Sequence, residues 1–232
     1  MKSLKPKVIN PFALECLNTL QDTGLGKFIA LGGAFGLAHF HEYRTTKDID
    51  AWWSEDAGEG DQQEVIALLE RTLARHGLVS IRRFGDVVSI DLKKEGKVIF
   101  NFQIARRSAL LRKPLKSPWD PVKVDSFDDL IASKMTALFE RGAPRDFLDI
   151  YLMCTHTLLT ISQCWHLWQE REKKRGISQD PVFGREAVLL HLSRIEKTRP
   201  LESISDSEQR EQARKLRRWY KNEFGKIKKR LD

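Results

Sequence analysis

The sequence has little cysteine, no long apolar run and fewer acidic than basic side chains. Its 232 residues contain only Cys16, Cys154 and Cys164, which are too few and too scattered for a disulfide framework. They favour buried free thiols in a reducing compartment, and no CxxC pair or His/Cys cluster has the spacing of a zinc site. No run approaches the roughly 20 apolar residues of a membrane span, and the N-terminus has no apolar stretch of signal-peptide length. We therefore expect a soluble, cytoplasmic protein with no membrane partner.

The charge balance is basic. The chain has 40 Lys and Arg against 32 Asp and Glu, a formal net charge of +8, and basic residues concentrate at 106–116 and 210–230. Such an excess favours a polyanionic partner, which could be nucleic acid, a nucleotide or an acidic protein. With 41% hydrophobic and 31% charged residues, the composition is that of a globular protein.

Hydrophobic periodicity predicts strands and helices in the first half of the chain. Predicted helices cover 10–24, 34–43 and 62–76, and predicted strands cover 28–33 and 47–53. Three more strands, at 79–84, 87–92 and 97–105, are separated by tight turns and predict an antiparallel meander. The Pro-containing stretch 114–124 is interpreted as a connector.

Only helices are predicted after the connector, at 126–142, 145–159, 184–196 and 206–230. We therefore predict an α+β fold. A mixed sheet with flanking helices forms a domain at 1–124, and a helical domain with a basic C-terminal helix follows at 125–232.

Asp48 and Asp50 lie two residues apart on a predicted strand, so their side chains share one face. Adjacent carboxylates repel each other, and magnesium, which prefers carboxylates with phosphate oxygens and water, would remove that penalty. Two solvated acids on an exposed strand would give the same pattern. Gly32 and Gly33 upstream end a strand and open a helix, where a backbone can approach a phosphate closely, although an ordinary turn needs glycine too. Together the two features indicate a phosphate cradle beside metal ligands.

Lys134 and Arg141 are seven residues apart and lie on the same side of a predicted helix, beside its apolar stripe. Both can cover apolar surface with their stems or face a phosphate-filled cleft. Asp146 lies near the start of the next helix, where the helix dipole favours an acid. It could also pair with Lys134 or Arg141 and fix the geometry of a site.

The final predicted helix combines an apolar stripe with a basic face. Leu216, Trp219, Tyr220 and Phe224 should pack inward, which leaves its Lys and Arg side chains outward. The basic face is either simply solvated or in contact with an RNA backbone, and RNA contact predicts steep salt dependence. His39 and His41 lack metal-site spacing and favour a surface or core role.

Two segments resemble the DNA polymerase beta-like nucleotidyltransferases, and in particular the abortive-infection AbiEii-type toxins. LGGAFGLAHFHEYRTTKDIDAWW is similar to the family's first motif, in which a Gly-Gly turn precedes R-x-[ST]-x-D-[IL]-D, matched by Arg44, Thr46, Asp48 and Asp50. DLIASKMTALFERGAPRDFLDIYLM is similar to a later motif, with Lys134, Arg141, Arg145, Asp146 and Asp149 in the expected places.

One position departs from the pattern of that superfamily. Many of its members have a third carboxylate on a later strand, and the corresponding stretch VIFNF places Asn101 there. Asp91, on the neighbouring predicted strand, is a possible substitute. Loss of the third carboxylate would mean slower catalysis, one-metal catalysis or a lost activity, so the third site residue stays open between Asp91 and Asn101.

The resemblance implies a magnesium-dependent nucleotidyltransferase that moves a nucleoside monophosphate from a nucleoside triphosphate to an acceptor. The expected catalytic residues are Asp48, Asp50, Lys134, Asp146 and Asp91, with Mg²⁺ on the first two. The expected phosphate-binding residues are Gly32, Gly33, Thr46, Arg141 and Arg145. The resemblance also implies the toxin of a toxin–antitoxin or phage-defence system, with a transfer-RNA end as acceptor and an antitoxin as partner. The alternatives are an enzyme that nucleotidylates protein, and a catalytically inactive RNA-binding or interaction module on the same fold.

Overall fold

A computed structural model describes residues 2–178 and 180–224, and the chain divides into two compact units. Unit 1 is Met1–Leu130 and unit 2 is Ile131–Asp232. The sequence placed the domain boundary at the end of the connector, whereas the units divide inside the helix that follows it. In the described part of the chain, no helix has an apolar stretch long enough to cross a membrane.

Unit 1 is built on a mixed sheet. Among the described residues, its seven strands are β1 (Ile29–Leu31), β2 (Ile49–Trp53), β3 (Leu78–Phe84), β4 (Val87–Lys94), β5 (Lys97–Ala105), β6 (Leu115–Lys116) and β7 (Lys123–Val124). Their order across the sheet is β3-β4-β5-β2-β1-β7-β6. The α-helices that lie wholly within the described part of this unit are α1 (Pro11–Asp22), α2 (Gly33–Ala38) and α3 (Glu59–Ala74). The predicted α+β fold with a mixed sheet is confirmed.

The predicted meander is confirmed, since β4 pairs antiparallel with both β3 and β5. Strand β2 then pairs parallel with β5. An apolar row crosses these four strands, with the directly opposed residues Ile81, Ile90, Phe102 and Ile49. This row packs in the core with side chains of α1 and α3. Because strand side chains alternate between faces, the residues between these positions lie on the opposite face of the sheet.

Two predictions for unit 1 were wrong in detail. The connector at 114–124 contains β6 and β7, and β7 pairs parallel with β1. Each of these strands has two residues, too few for a sequence period, so only the tertiary pairing defines them. The helix predicted at 34–43 ends at Ala38. Beyond it, the Glu42 carboxylate accepts hydrogen bonds from the backbone N–H groups of Lys7 and Val8, which ties this stretch to the N-terminal segment.

Unit 2 is helical in its described part. Its helices are α4 (Phe127–Glu140, which begins in unit 1), α5 (Pro144–Thr155), α6 (Ile161–Lys174), α7 (Pro181–Thr198) and α8 (Ser207–Trp219), followed by a π-helical turn at Tyr220–Phe224. Helix α6 was not predicted, although Thr160 and Gln163 form a capping box at its start. The predicted basic tail beyond Phe224 lies outside the described residues.

Aromatic side chains form much of the core of unit 2. The rings of Phe139 and Trp168 stack with 4.3 Å between centroids, and Trp165 packs against both. Tyr220 is fully buried, and its hydroxyl donates to the backbone oxygen of Phe147 over 2.8 Å.

The predicted inward packing is confirmed for Tyr220 and Phe224, which are buried, whereas Leu216 and Trp219 are half-buried. The prediction that the basic side chains of this helix face outward is wrong at Arg217, which is buried and donates a hydrogen bond to the Arg199 backbone oxygen.

The cysteines are free thiols, as predicted from their number and scatter. Cys16 and Cys164 are buried, and Cys154 is half-buried. Burial raises the pKa of the Cys16 thiol to about 12. This thiol therefore stays protonated and packs as a small apolar side chain.

His39 is a core histidine of unit 1, with 1% of its surface exposed. Its Nδ1 lies 2.9 Å from the Phe35 oxygen, and its ring meets the Phe35 and Trp119 rings edge to face. Burial lowers the pKa of His39 below its ordinary value of 6.5. The folded protein therefore holds this imidazole neutral at a pH where the unfolded chain already binds a proton.

We expect the free energy of unfolding to fall as the pH drops below about 6.5, because protonation of His39 then favours the unfolded chain. Urea unfolding of the wild type and of His39→Leu, measured from pH 7.5 to 5, tests this expectation. The variant should lose part of the pH dependence. His166→Leu is the control, because His166 is exposed on α6. If the free energy of unfolding changes equally with pH in the wild type and in His39→Leu, His39 is not the source of the pH dependence.

Candidate functional site

The glycine turn and the acidic strand lie side by side in unit 1. Strand β1 pairs antiparallel with β2, and the Gly32 N–H donates to the Asp50 backbone oxygen over 2.8 Å. Gly33 has a positive φ of 58°, which favours glycine. A Cβ atom placed on Gly33 would lie 2.0 Å from Asp50 Oδ2. The turn therefore presents bare backbone directly against the Asp50 carboxylate.

Asp48 lies just before β2 and Asp50 lies within it, and both residues are exposed. Their spacing directs both carboxylates to the same side of the strand. In the stretches 2–178 and 180–224, no group of three or more His, Cys, Asp or Glu side chains forms a metal-binding cluster. Both carboxylates are exposed, and that of Asp50 lies against the glycine turn. Carboxylates are hard oxygen ligands suited to magnesium that also contacts phosphate and water.

A polar row extends from Asp50 across the sheet. Asp50 is opposite Gln103 on β5, Gln103 is opposite Ser89 on β4, and Ser89 is opposite Arg82 on β3. These four residues define the polar row, on the face away from α1 and α3. Arg82, Ser89 and Gln103 were not identified from the sequence. The sequence signal that could have identified them is their alternation with apolar residues, which places polar side chains on one face of each strand.

Asp91 and Asn101 lie opposite each other on β4 and β5, next to the polar row. The Asn101 amide donates to Asp91 Oδ1 and to Ser89 Oγ, each over 2.7 Å, and the Ser89 hydroxyl donates to Asp91 Oδ1 over 3.1 Å. Arg82 Nε and Nη2 both lie 2.8 Å from Asp91 Oδ2. The Asp91 carboxylate, 2% exposed, therefore accepts hydrogen bonds from three side chains.

An open pocket of about 460 Å³ is lined by Asp91 and Asn101 and by three members of the polar row, Arg82, Ser89 and Gln103, but not by Asp50. Asp48 and Lys47 line it on the β2 side, and Arg82 and Phe84 line it on the β3 side. Its remaining lining residues come from the strands between them: Ser89, Asp91, Val98, Ile99, Asn101 and Gln103. The two residues proposed for the third site position, Asp91 and Asn101, thus lie in the same pocket as Asp48.

The basic segment at 106–116 is anchored within unit 1. The Arg107 guanidinium makes two hydrogen bonds to Asp125, of 2.6 and 2.8 Å, and stands 5.6 Å from the Trp52 ring centroid. Asp129 accepts hydrogen bonds from the backbone N–H groups of Leu111 and Arg112. Both carboxylates are buried, so the Arg107 charge is neutralised within unit 1, and its loss would leave Asp125 as an uncompensated buried charge.

The later predicted residues form two ion pairs inside unit 2. Lys134 Nζ lies 2.6 Å from Asp149 Oδ2, and both side chains are buried. Arg141 makes two hydrogen bonds to Asp146, which is fully buried, whereas Arg141 itself is half-exposed. Of the two partners considered for Asp146, the structure therefore selects Arg141.

Arg145 and Thr46 complete the set of predicted site residues. Arg145 is exposed in the first turn of α5, and Thr46 is half-buried in the loop before β2. Thr46 belongs to unit 1 with Asp48, and Arg145 belongs to unit 2.

A comparison with protein-family models gives one match over nearly the whole chain. The model described as "Nucleotidyl transferase AbiEii toxin, Type IV TA system" matches residues 15–231. No curated protein sequence gives a significant match.

Proposed function

Since the chain belongs to the AbiEii family of nucleotidyl transferase toxins of type IV toxin–antitoxin systems, we propose that it is a magnesium-dependent enzyme that modifies RNA. It would transfer a nucleoside monophosphate from a nucleoside triphosphate to an RNA hydroxyl, with a transfer-RNA end as the acceptor. The observation that carries the proposal is the contact between the Gly33 turn and the Asp50 carboxylate. Family membership also implies an antitoxin partner.

Asp48 and Asp50 would hold the magnesium ion, and the triphosphate and water would complete its coordination. Bound there, magnesium supplies positive charge against the phosphate oxygens as negative charge develops. The bare backbone at Gly32 and Gly33 allows the triphosphate to approach, and Thr46 lies close by in the chain as a further phosphate donor. The RNA hydroxyl oxygen would bond to the α-phosphorus and release its proton to solvent water, while the bond from that phosphorus to the β-phosphate oxygen breaks and pyrophosphate leaves.

Asp91 has a different role in this proposal from that of a proton acceptor. Its oxygens already accept hydrogen bonds from Arg82, Ser89 and Asn101. We propose that it orients the Asn101 amide and the Arg82 guanidinium in the pocket. Asn101 would then stand at the position where many members of the superfamily have a third carboxylate, and its neutral amide would bring no negative charge there.

Lys134, Arg141 and Arg145 are the proposed cations of unit 2. From their match to the family's later motif, we propose Lys134 as a catalytic residue and Arg141 and Arg145 as phosphate-binding residues. Asp146, fully buried and hydrogen-bonded to Arg141, would hold that guanidinium in place. A purely structural role in the buried pair with Asp149 is the alternative for Lys134.

RNA is favoured over protein as the acceptor because the chain has a net charge of +8 and its pocket combines cations with an aromatic ring. Incubation of the purified protein with each α-labelled triphosphate, magnesium and total RNA tests this choice. Label should enter RNA, and the labelled species should include transfer RNA. Label in protein would support the protein-nucleotidylating alternative, and no label with RNA binding intact would support the inactive module.

We expect Gly33→Ala to lower the transfer rate by at least a hundredfold. A Cβ atom there would collide with the Asp50 carboxylate, and the positive φ adds roughly 1 kcal/mol of backbone strain. Gly85→Ala is the matched control, since Gly85 has a φ of 56° but no atom within 4 Å of the position that a Cβ would take. Both variants should lose stability in urea unfolding through the backbone strain, and Gly33→Ala should lose more because of the added collision. Equal transfer rates would show that the close approach at Gly33 has no role in the reaction.

A further inference from the structure

Arg82 is held at the rim of the pocket by a buried carboxylate. Its Nε and Nη2 are directed at Asp91 Oδ2, and its side chain is 59% exposed. Nη1 has no acceptor among residues 2–178 and 180–224. A guanidinium fixed on one side by a buried acid, with N–H groups open on the other, is pre-organised to bind an anion such as phosphate.

The surroundings of Arg82 suit one nucleotide of a single strand. The Phe84 ring is 49% exposed, and its centroid lies 6.0 Å from the guanidinium carbon. Val98, 50% exposed, adds apolar surface on the same pocket, and the amides of Asn101 and Gln103 lie on its β5 side. Proteins recognise unpaired RNA bases through aromatic stacking, arginine and hydrogen bonds to base edges.

The polar row gives the distance between Arg82 and Asp50. Arg82 and Asp50 are separated by three strand spacings, roughly 14 Å between their backbones. A strand of RNA crossing the sheet along this row can therefore reach Arg82 while its terminal hydroxyl lies near Asp50.

We propose that Arg82 binds a backbone phosphate of the acceptor RNA and that the pocket beside it receives the nucleotide attached to that phosphate. The inference rests on the proposed RNA acceptor and adds the path of the acceptor across β2, β5, β4 and β3. Asp91 serves as the positioning residue that aims the Arg82 guanidinium.

Arg82→Gln is the informative variant, because its amide can still donate to the buried Asp91 while the positive charge is lost. Arg83→Ala is the control, since Arg83 is the next residue of β3, also exposed, and hydrogen-bonded to Gln63 instead. Filter binding of radiolabelled total transfer RNA without nucleotide, over a series of salt concentrations from about 50 to 300 mM, measures the contact. Arg82→Gln should weaken binding about tenfold and reduce the slope of log K against log salt by about 1.

Kinetics of label incorporation provide a second readout. Arg82→Gln should raise the KM for RNA about tenfold and leave the KM for the triphosphate unchanged, because the lost contact is made with the RNA. Arg83→Ala should change each constant less than about twofold. Arg82→Lys, which keeps the charge, should recover part of the affinity.

The outcomes separate the inference from the proposed function. RNA binding that is equally sensitive to Arg82→Gln and Arg83→Ala, or a raised KM for the triphosphate alone, overturns the inference and leaves RNA modification standing. Binding that depends on Arg82 without label in RNA supports the subsite and overturns the proposed reaction. Absence of RNA binding by the wild type at the lowest salt concentration overturns both.

Discussion

Replacing Asp50 with asparagine is expected to lower the rate of nucleotidyl transfer about a thousandfold, which corresponds to roughly 4 kcal/mol of transition-state stabilisation. Asparagine keeps the size of the side chain and its place against Gly33, but it removes the charge that would hold magnesium. Transfer of α-labelled nucleotide to RNA, with saturating triphosphate, measures the loss. Raising the magnesium concentration should recover only a small part of it, because asparagine is a weaker ligand than a carboxylate.

Stability should hardly change in the same variant. Asp50 is exposed, and its structural hydrogen bond to Gly32 uses the backbone oxygen, so we expect less than about 0.5 kcal/mol of change in urea unfolding. Glu55→Gln is the matched control, because Glu55 is an exposed acid in the turn after β2. Toxicity on expression should follow the transfer rate. Full toxicity of a folded Asp50→Asn variant would disprove the proposed mechanism.

Breaking the Lys134–Asp149 pair is expected to cause the largest loss of stability. Lys134→Met leaves a fully buried carboxylate without its cation, and removal of one partner from such a pair costs about 3–5 kcal/mol. Urea unfolding measures this loss. Lys173→Met, which removes an exposed lysine of α6, is the control and should cost less than about 0.5 kcal/mol.

The double variant Lys134→Met, Asp149→Leu separates the two roles proposed for Lys134. Because it removes both buried charges together, it should recover much of the stability lost in Lys134→Met. If Lys134 has the proposed catalytic role, the recovered protein folds but transfers nucleotide at least a hundredfold more slowly. A stable double variant with the wild-type rate would assign Lys134 to the structure of unit 2 alone.

Local signals in the sequence predicted most elements of unit 1. The alternation over β2 to β5, with tight turns between β3, β4 and β5, predicted the meander correctly. Strands β6 and β7 could not be predicted, because two-residue strands have no period and form only through pairing in the sheet. In unit 2, α6 was missed although its capping box was readable, because charged residues at 170–175 concealed its apolar stripe.

Local patterns were enough to identify the family, the acidic pair and the glycine turn before it, because the residues involved lie close together in the chain. The tertiary structure was needed to show that Gly33 touches Asp50, that Asp91 is held by Arg82 and Asn101, and that Lys134 pairs with Asp149. Strand register and helix packing fix those contacts between residues far apart in sequence, and no local pattern records them. The third site position is an example. The sequence left it open between Asp91 and Asn101, whereas the register of β4 against β5 shows that the two residues lie opposite each other and are hydrogen-bonded.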